Sequence, residues 1–198
     1  GTIQALAQPD DVIIFDEYSH ASFYDALKLC KAKSFRFRHN DTRHLESLLL
    51  NYRHHPGQVF VCLEGVYSMD GDIAPLDKVV QLSKKYHAFL ILDDAHGTGV
   101  LGENGKGTAA FFNKEKEIDL TLGTFSKVFT SCGGFLTGSK EVIDYLRFHA
   151  RSYIFSASLP PAVTATVLAG LEVIESEPWL RLQLMENVKY AVAQLKPY

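Results

Sequence analysis

The sequence predicts an α/β fold with a mostly parallel central sheet flanked by helices. Three observations support this. Short apolar runs alternate with amphipathic stretches several times along the 198 residues. The run at 89–92 is apolar at every position, as expected of a strand covered on both faces. A chain of this length can bury roughly 70% of the surface it exposes when unfolded, enough for one sizeable core.

The elements follow in order. Residues 1–8 read as the body of a helix without a capped start. Residues 12–15 form a brief β-type run, and 21–30 a helix with Phe23, Leu27 and Cys30 at helical spacing. A strand is expected at 34–38. Asn40 or Asp41 would cap the next helix, whose apolar face holds Leu45, Leu48 and Leu49. Residues 58–63 suit a buried strand. Pro75 opens a helix where its missing N–H does no harm, and Leu76, Val79, Val80 and Leu82 follow. Further strands are expected at 89–92, 118–122 and 135–137. Beyond Lys140 the chain reads as mostly helical, broken near 156–161 and around Pro178, with a final amphipathic stretch at 180–195 ending at Pro197 and Tyr198.

Composition excludes several function classes. Twenty Lys and Arg against 23 Asp and Glu leave a formal charge of −3, which argues against a broad nucleic-acid-binding face. An aromatic content of 12% argues against disorder. No apolar run approaches the ~20 residues that span a bilayer, and no segment reads as a signal peptide. Cys30, Cys62 and Cys132 form no CxxC pair, so they are expected to be reduced thiols in a cytoplasmic protein. No His, Cys and carboxylate set has metal-ligand spacing, and no metal is expected.

In parallel α/β sheets, ligands sit at the carboxyl ends of the strands. Three loops are therefore expected to carry the chemistry. The first reads Asp93-Asp94-Ala95-His96-Gly97-Thr98-Gly99. A carboxylate at the end of a buried strand costs free energy unless a cation or donor partners it. A protonated ring nitrogen would serve, with His96 pointing at the same ligand; the plainer alternative is a polar turn with Asp94 capping a helix. Gly97 to Gly102 also matches G-x-G-x-x-G, but the helix-breaking Glu103-Asn104-Gly105-Lys106-Gly107 follows, which argues against a dinucleotide site. The second loop holds Gly123-Thr124-Phe125-Ser126-Lys127 and then Ser131-Cys132-Gly133-Gly134. A Lys held away from water becomes a nucleophile for carbonyls. Thr124 and Ser126 suit a phosphate, and the glycines admit close backbone approach. The third loop runs from Glu64 to Asp72. Its Asp70-Gly71-Asp72 lacks the further ligands of a calcium loop, and Ser68 is either a ligand donor or a turn hydroxyl. His20 reads as a helix cap or core residue on its own, and His54-His55 as exposed turn.

Six segments together resemble the α-oxoamine synthases, pyridoxal-phosphate enzymes of the aspartate-aminotransferase fold type. They are Ser19-His20-Ala21-Ser22, His39-Asn40-Asp41, the 64–72 loop, the 93–99 loop, Gly123-Thr124-Phe125-Ser126-Lys127, and the run at 154–161. They occur in family order over residues 1–176. The resemblance implies the central part of the cofactor-binding large domain there, truncated at both ends, with 177–198 a helix leading toward a carboxyl-terminal domain.

The resemblance also implies roles. Lys127 would form the Schiff base with the cofactor aldehyde, Asp93 would bind the pyridine nitrogen, and His96 the phenolic oxygen. His20 would stack on the ring. Ser68 would bond near the phenolic oxygen, Thr124 would contact the phosphate, and Ser156 would reach the phosphate of the neighbouring subunit. The implied cofactor is pyridoxal 5'-phosphate. The implied reaction condenses an amino acid with an acyl-CoA, usually with loss of CO₂, to give an amino ketone in a cytoplasmic homodimer whose active site lies at the subunit interface. Activity of these 198 residues alone is not implied.

Within the family, the 93–99 loop is most similar to 8-amino-7-oxononanoate synthase, and the run at 153–161 is as similar to serine palmitoyltransferase. Val128 to Cys132 is bulkier than the small residues common there, which leaves the acyl preference open. An aminotransferase of the same fold would use Asp93 and Lys127 equally well, but His96 weighs against it. A non-catalytic scaffold subunit is disfavoured by the presence of Lys127.

Overall fold

A computed structural model describes residues 1–195. Its sheet has six strands in the order β2-β1-β3-β4-β5-β6. These are β1 (Val12–Asp16), β2 (Lys33–Phe37), β3 (Val59–Glu64), β4 (Phe89–Asp93), β5 (Leu120–Thr124) and β6 (Gly134–Gly138). The first five are mutually parallel. Strand β6 runs antiparallel to β5, because a short loop with no crossover helix joins them. The helices are α1 (Thr2–Leu6), α2 (Ala21–Lys28), α3 (Thr42–Asn51), α4 (Leu76–Lys85), α5 (Thr108–Phe111), α6 (Lys140–His149), α7 (Arg151–Ile154), α8 (Pro161–Ser176) and α9 (Pro178–Leu195).

Strand periodicity divides the core into two layers. Val12, Ile14, Val61, Leu63, Leu90 and Leu92 face α3 and α4, where Leu45, Leu49, Leu76, Val79 and Val80 are buried. Ile13, Phe15, Phe60, Cys62, Ile91 and Leu120 point the other way, against Ile3 of α1 and Leu146 of α6. Because both faces are covered, β1, β3 and the middle of β4 need apolar residues at consecutive positions. The chain moves outward from β1 to β2 and then returns to place β3 on the other side of β1. That reversal opens a crevice at the carboxyl ends of the strands.

Several boundaries differ from the sequence reading. Strand β5 begins at Leu120, not at 118, because a 3₁₀ turn at Glu115–Glu117 precedes it and Asp119 Oδ2 accepts from the Leu90 N–H at 2.7 Å. Helix α2 stops at Lys28 because the Leu29 and Cys30 amides turn back onto Ala26 and Leu27. Asp41, not Asn40, caps α3, its Oδ1 accepting from the Arg43 and His44 amides at 3.0 and 2.9 Å. Asn40 instead adopts a left-handed backbone, with φ of 53°. Pro75 sits at the N-cap of α4, one position before the first helical residue. A further break falls at Ala150, where ψ of 99° ends α6 and starts α7. The 180–195 stretch has no buried residue, and Trp179, Leu182 and Tyr190 lie in the open. The expected end at Pro197 and Tyr198 lies outside the described residues. No helix among the described residues is long and apolar enough to cross a membrane. Cys30, Cys62 and Cys132 are free thiols.

Candidate active site at the carboxyl ends of the strands

The ladder that aligns the strands also aligns the site. Glu64 and Asp93 are register partners on β3 and β4, and Asp93 pairs with Leu122 on β5. Pairing continues past the strand ends, where the Gly65 N–H donates to the Asp93 carbonyl and the Asp94 N–H to the Leu122 carbonyl, both at 2.8 Å. The three loops expected to carry chemistry therefore leave one edge side by side.

Charges converge there. Asp93 is half-buried and accepts from the Ala95 N–H at 3.1 Å. Burial raises its pKa above the ordinary carboxylate value, while the Ala95 amide and the charges of Lys127, His20 and His96 pull it back. His96 is held below its ordinary value by burial and by Lys127, with Asp93 opposing. Lys127, Asp93, His96 and His20 thus lie within one another's fields, as the ligand-centred reading of the loops requires. Lys127 itself is exposed. The expectation that it is held away from water is not met, because its neighbours Ser126 and Val128 are themselves exposed and build no wall over it.

The remaining predicted residues divide. Thr124 Oγ1 meets Ser126 Oγ at 2.9 Å and accepts from the Ser126 N–H, so the two hydroxyls form one polar corner beside Lys127. His20 caps α2, its Nδ1 facing Ser22 Oγ at 2.8 Å, while its charge is felt at Asp93 and His96. Ser68 is exposed in its loop. Ser156 is exposed, and its hydroxyl turns back onto the Ser152 carbonyl rather than toward this cluster. Among the described residues no group of His, Cys, Asp and Glu is placed to hold a metal ion.

The carboxylate of Asp94 does bond the first amide of a helix, as its capping alternative expected, though that helix is α5, fourteen residues on; two further features, the His39 bridge and the burial of Glu64, were not singled out from the sequence. Asp94 is buried and accepts from Thr108 Oγ1 at 2.6 Å and the Thr108 N–H at 2.9 Å. It thereby satisfies the first amide of α5 from across the loop. Gly97 and Gly107 pack directly on its carboxylate, which explains two glycines of the G-x-G-x-x-G neighbourhood; the segment read as helix-breaking makes one 3₁₀ turn at Glu103–Gly105, and the next α-helix starts only at Thr108. His39 bridges two carboxylates, Asp16 at 3.0 Å and Asp72 at 2.8 Å. Glu64, only 4% exposed, stands beside Asp93 with its Oε1 buried and unpartnered. The signal that marks Asp93, a carboxylate ending an apolar strand, marks Glu64 equally.

The family described as Aminotransferase class I and II matches residues 1–197. The chain belongs to this family. Among curated class I and II relatives, a serine palmitoyltransferase of Bacteriovorax stolpii is 45% identical over 96% of the chain and 45% of its own length. An 8-amino-7-oxononanoate synthase of Petrotoga mobilis is 44% identical over 98% of the chain and 50% of its own. A solved serine palmitoyltransferase from S. paucimobilis superposes with a TM-score of 0.95 at 38% identity, covering 100% of this chain and 49% of that one. The chain thus spans about half the length of the relatives it matches.

Proposed function

We propose that the chain is the cofactor-holding part of a pyridoxal-phosphate-dependent acyltransferase of the 8-amino-7-oxononanoate synthase kind. The reaction joins the α-carbon of an amino acid to the carbonyl carbon of an acyl-CoA thioester. The C–S bond breaks, the CoA thiol leaves, and the carboxylate is usually lost as CO₂. The observation that carries the reading is the placement of one amine, Lys127, within the field of both Asp93 and His96 at a strand-end crevice.

The residues present fit the cofactor. Asp93 offers a half-buried carboxylate, satisfied so far by one amide, to a protonated ring nitrogen. Thr124, Ser126 and the Gly133-Gly134 backbone offer donors to a phosphate. When bound, pyridoxal phosphate supplies an electron sink for a substrate carbanion. Lys127 Nζ would be the amine that holds the cofactor aldehyde, and it would take a proton from the substrate α-carbon. The Asp93 carboxylate would hold the ring nitrogen in its protonated form. His96, kept neutral by burial and by Lys127, donates one ring N–H to the phenolic oxygen. His20 would cover the ring face, Ser68 would add a donor near the phenolic oxygen, and Ser156, once turned from the Ser152 carbonyl, would serve the phosphate of a neighbouring subunit in a cytoplasmic homodimer.

A serine palmitoyltransferase-like specificity is the second reading, favoured by the superposition on that enzyme. Incubating the chain with pyridoxal phosphate should produce an absorbance band near the visible edge that Lys127→Ala removes. An unchanged spectrum in the variant rules the reading out. A panel of acyl-CoAs and amino acids, read by CoA thiol release from the protein that carries this chain, separates the two specificities.

A further inference from the structure

We propose that Glu64 is a positioning residue that works through Asp93: it retains a proton beside the cofactor site and so leaves a single negative charge, on Asp93, facing the ring-nitrogen position. This rests on the reading of Asp93 as the partner of that nitrogen.

The geometry begins with the ladder. Glu64 and Asp93 sit opposite each other on adjacent parallel strands, and the Gly65-to-Asp93 bond at 2.8 Å locks their register. Gly65 has no room to yield, because a Cβ there would strike Thr108 and Asp94. Two carboxyls held in that relation do not both ionise easily, and they titrate as a pair. The surroundings decide which one carries the charge. Asp93 is the more exposed and accepts a backbone N–H. Glu64 is 4% exposed and its Oε1 has no partner, so a charge there would be buried and only partly compensated.

The groups facing Glu64 come from every side of the crevice. Asp93 faces it from β4, Asp16 from the end of β1, Tyr67 from the loop after β3, Lys127 from the loop after β5, and the His20 backbone from the start of α2. Burial and Asp93 push its carboxyl up, and the His20 backbone and Lys127 pull only part of the way back, leaving it at about 7. Full ionisation of both carboxylates would place two anions in front of one cationic nitrogen. A proton on Glu64 prevents that while its oxygen still fills the space next to Asp93.

Carboxyl-¹³C NMR of the cofactor-free chain tests this without any ligand. The Glu64 signal should titrate near neutrality, with a proton affinity roughly a hundredfold or more above that of an ordinary glutamate. Asp93→Asn should lower that affinity by about tenfold, because it removes the neighbouring anion. Glu64→Gln should leave the Asp93 titration within about twofold of its original midpoint, since Asp93 titrates while Glu64 is still neutral. A Glu64 midpoint in the ordinary carboxylate range, or one that ignores Asp93→Asn, overturns the proposal. The unsubstituted chain decides the first point even if a variant fails to fold. Because no cofactor is present, these outcomes are independent of the Lys127→Ala spectrum.

Discussion

The Nδ1 of His39 lies 3.0 Å from Oδ1 of Asp16, a carboxylate with none of its surface exposed. The other ring nitrogen meets Asp72, and the ring stacks on Tyr18 with centroids 4.3 Å apart. The imidazole therefore ties the end of β1 to the loop that follows β3 and carries Ser68. Burial works against its charge, but Asp16 and Asp72 outweigh it and raise the pKa above the usual histidine value. Asp16 also accepts from the Asn40 N–H at 2.9 Å and from the Tyr18 N–H at 2.8 Å, so two separate segments share its carboxylate.

Replacing His39 with Ala should destabilise the chain by about 2–4 kcal/mol, because it removes the imidazole that pairs with buried Asp16 and with Asp72 and leaves only backbone amides on Asp16. The pH dependence has a definite sign. The folded chain binds the His39 proton more tightly than the unfolded one, so this contribution is complete below about pH 6.5 and fades as pH rises through the higher folded value. Thermal unfolding from pH 5.5 to 8.5 should show a slope that His39→Ala reduces.

Asp94 is expected to matter as much for a different reason. Asp94→Asn replaces one acceptor oxygen with a donor facing Thr108, and should cost about 1–3 kcal/mol in urea denaturation. Gly107→Ala should match or exceed that loss, since Gly107 has φ of 102° and a Cβ there would meet the Asp94 carboxylate.

Asp93→Asn removes the proposed charge partner of the ring nitrogen without changing side-chain size. Affinity for pyridoxal phosphate, followed by absorbance titration, should fall about 10- to 100-fold, the value of one charge-assisted hydrogen bond. An affinity unchanged by the substitution would remove Asp93 from the proposed site.

Thiol chemistry should separate the cysteines. Cys132 is exposed, whereas Cys62 is buried in β3 and its thiol is pushed well up by desolvation. A thiol-reactive dye should label Cys132 within minutes in the native chain and reach Cys62 only after unfolding. Equal labelling rates would contradict the packing of Phe60, Cys62 and Ile91 on that face of the sheet.

Glu64 also bears on stability. Its raised value means that the folded chain loses stability between about pH 4.3 and neutrality, as the unfolded state ionises first. Glu64→Gln should flatten that part of the melting-temperature profile and raise the melting temperature at pH 8 relative to the unsubstituted chain.

The local pattern of residues was enough to place the strands and their order of chemistry. The all-apolar run ending at Asp93 marks both a buried strand and a charge that needs a partner, and that inference uses nothing beyond sequence periodicity and the cost of burying a carboxylate. The resemblance added the roles of Lys127, His96 and His20. Tertiary structure alone decided what depends on residues far apart in the chain. The bridge from His39 to Asp16 and Asp72 joins positions 23 and 33 residues apart. The Asp94–Thr108 bond spans 14 residues, and the pairing of Glu64 with Asp93 depends on strand register. Sequence spacing carries no record of such contacts, because they exist only once the sheet has aligned the strands. The same holds for the openness of Lys127, which is set by what packs around the loop and not by the loop itself.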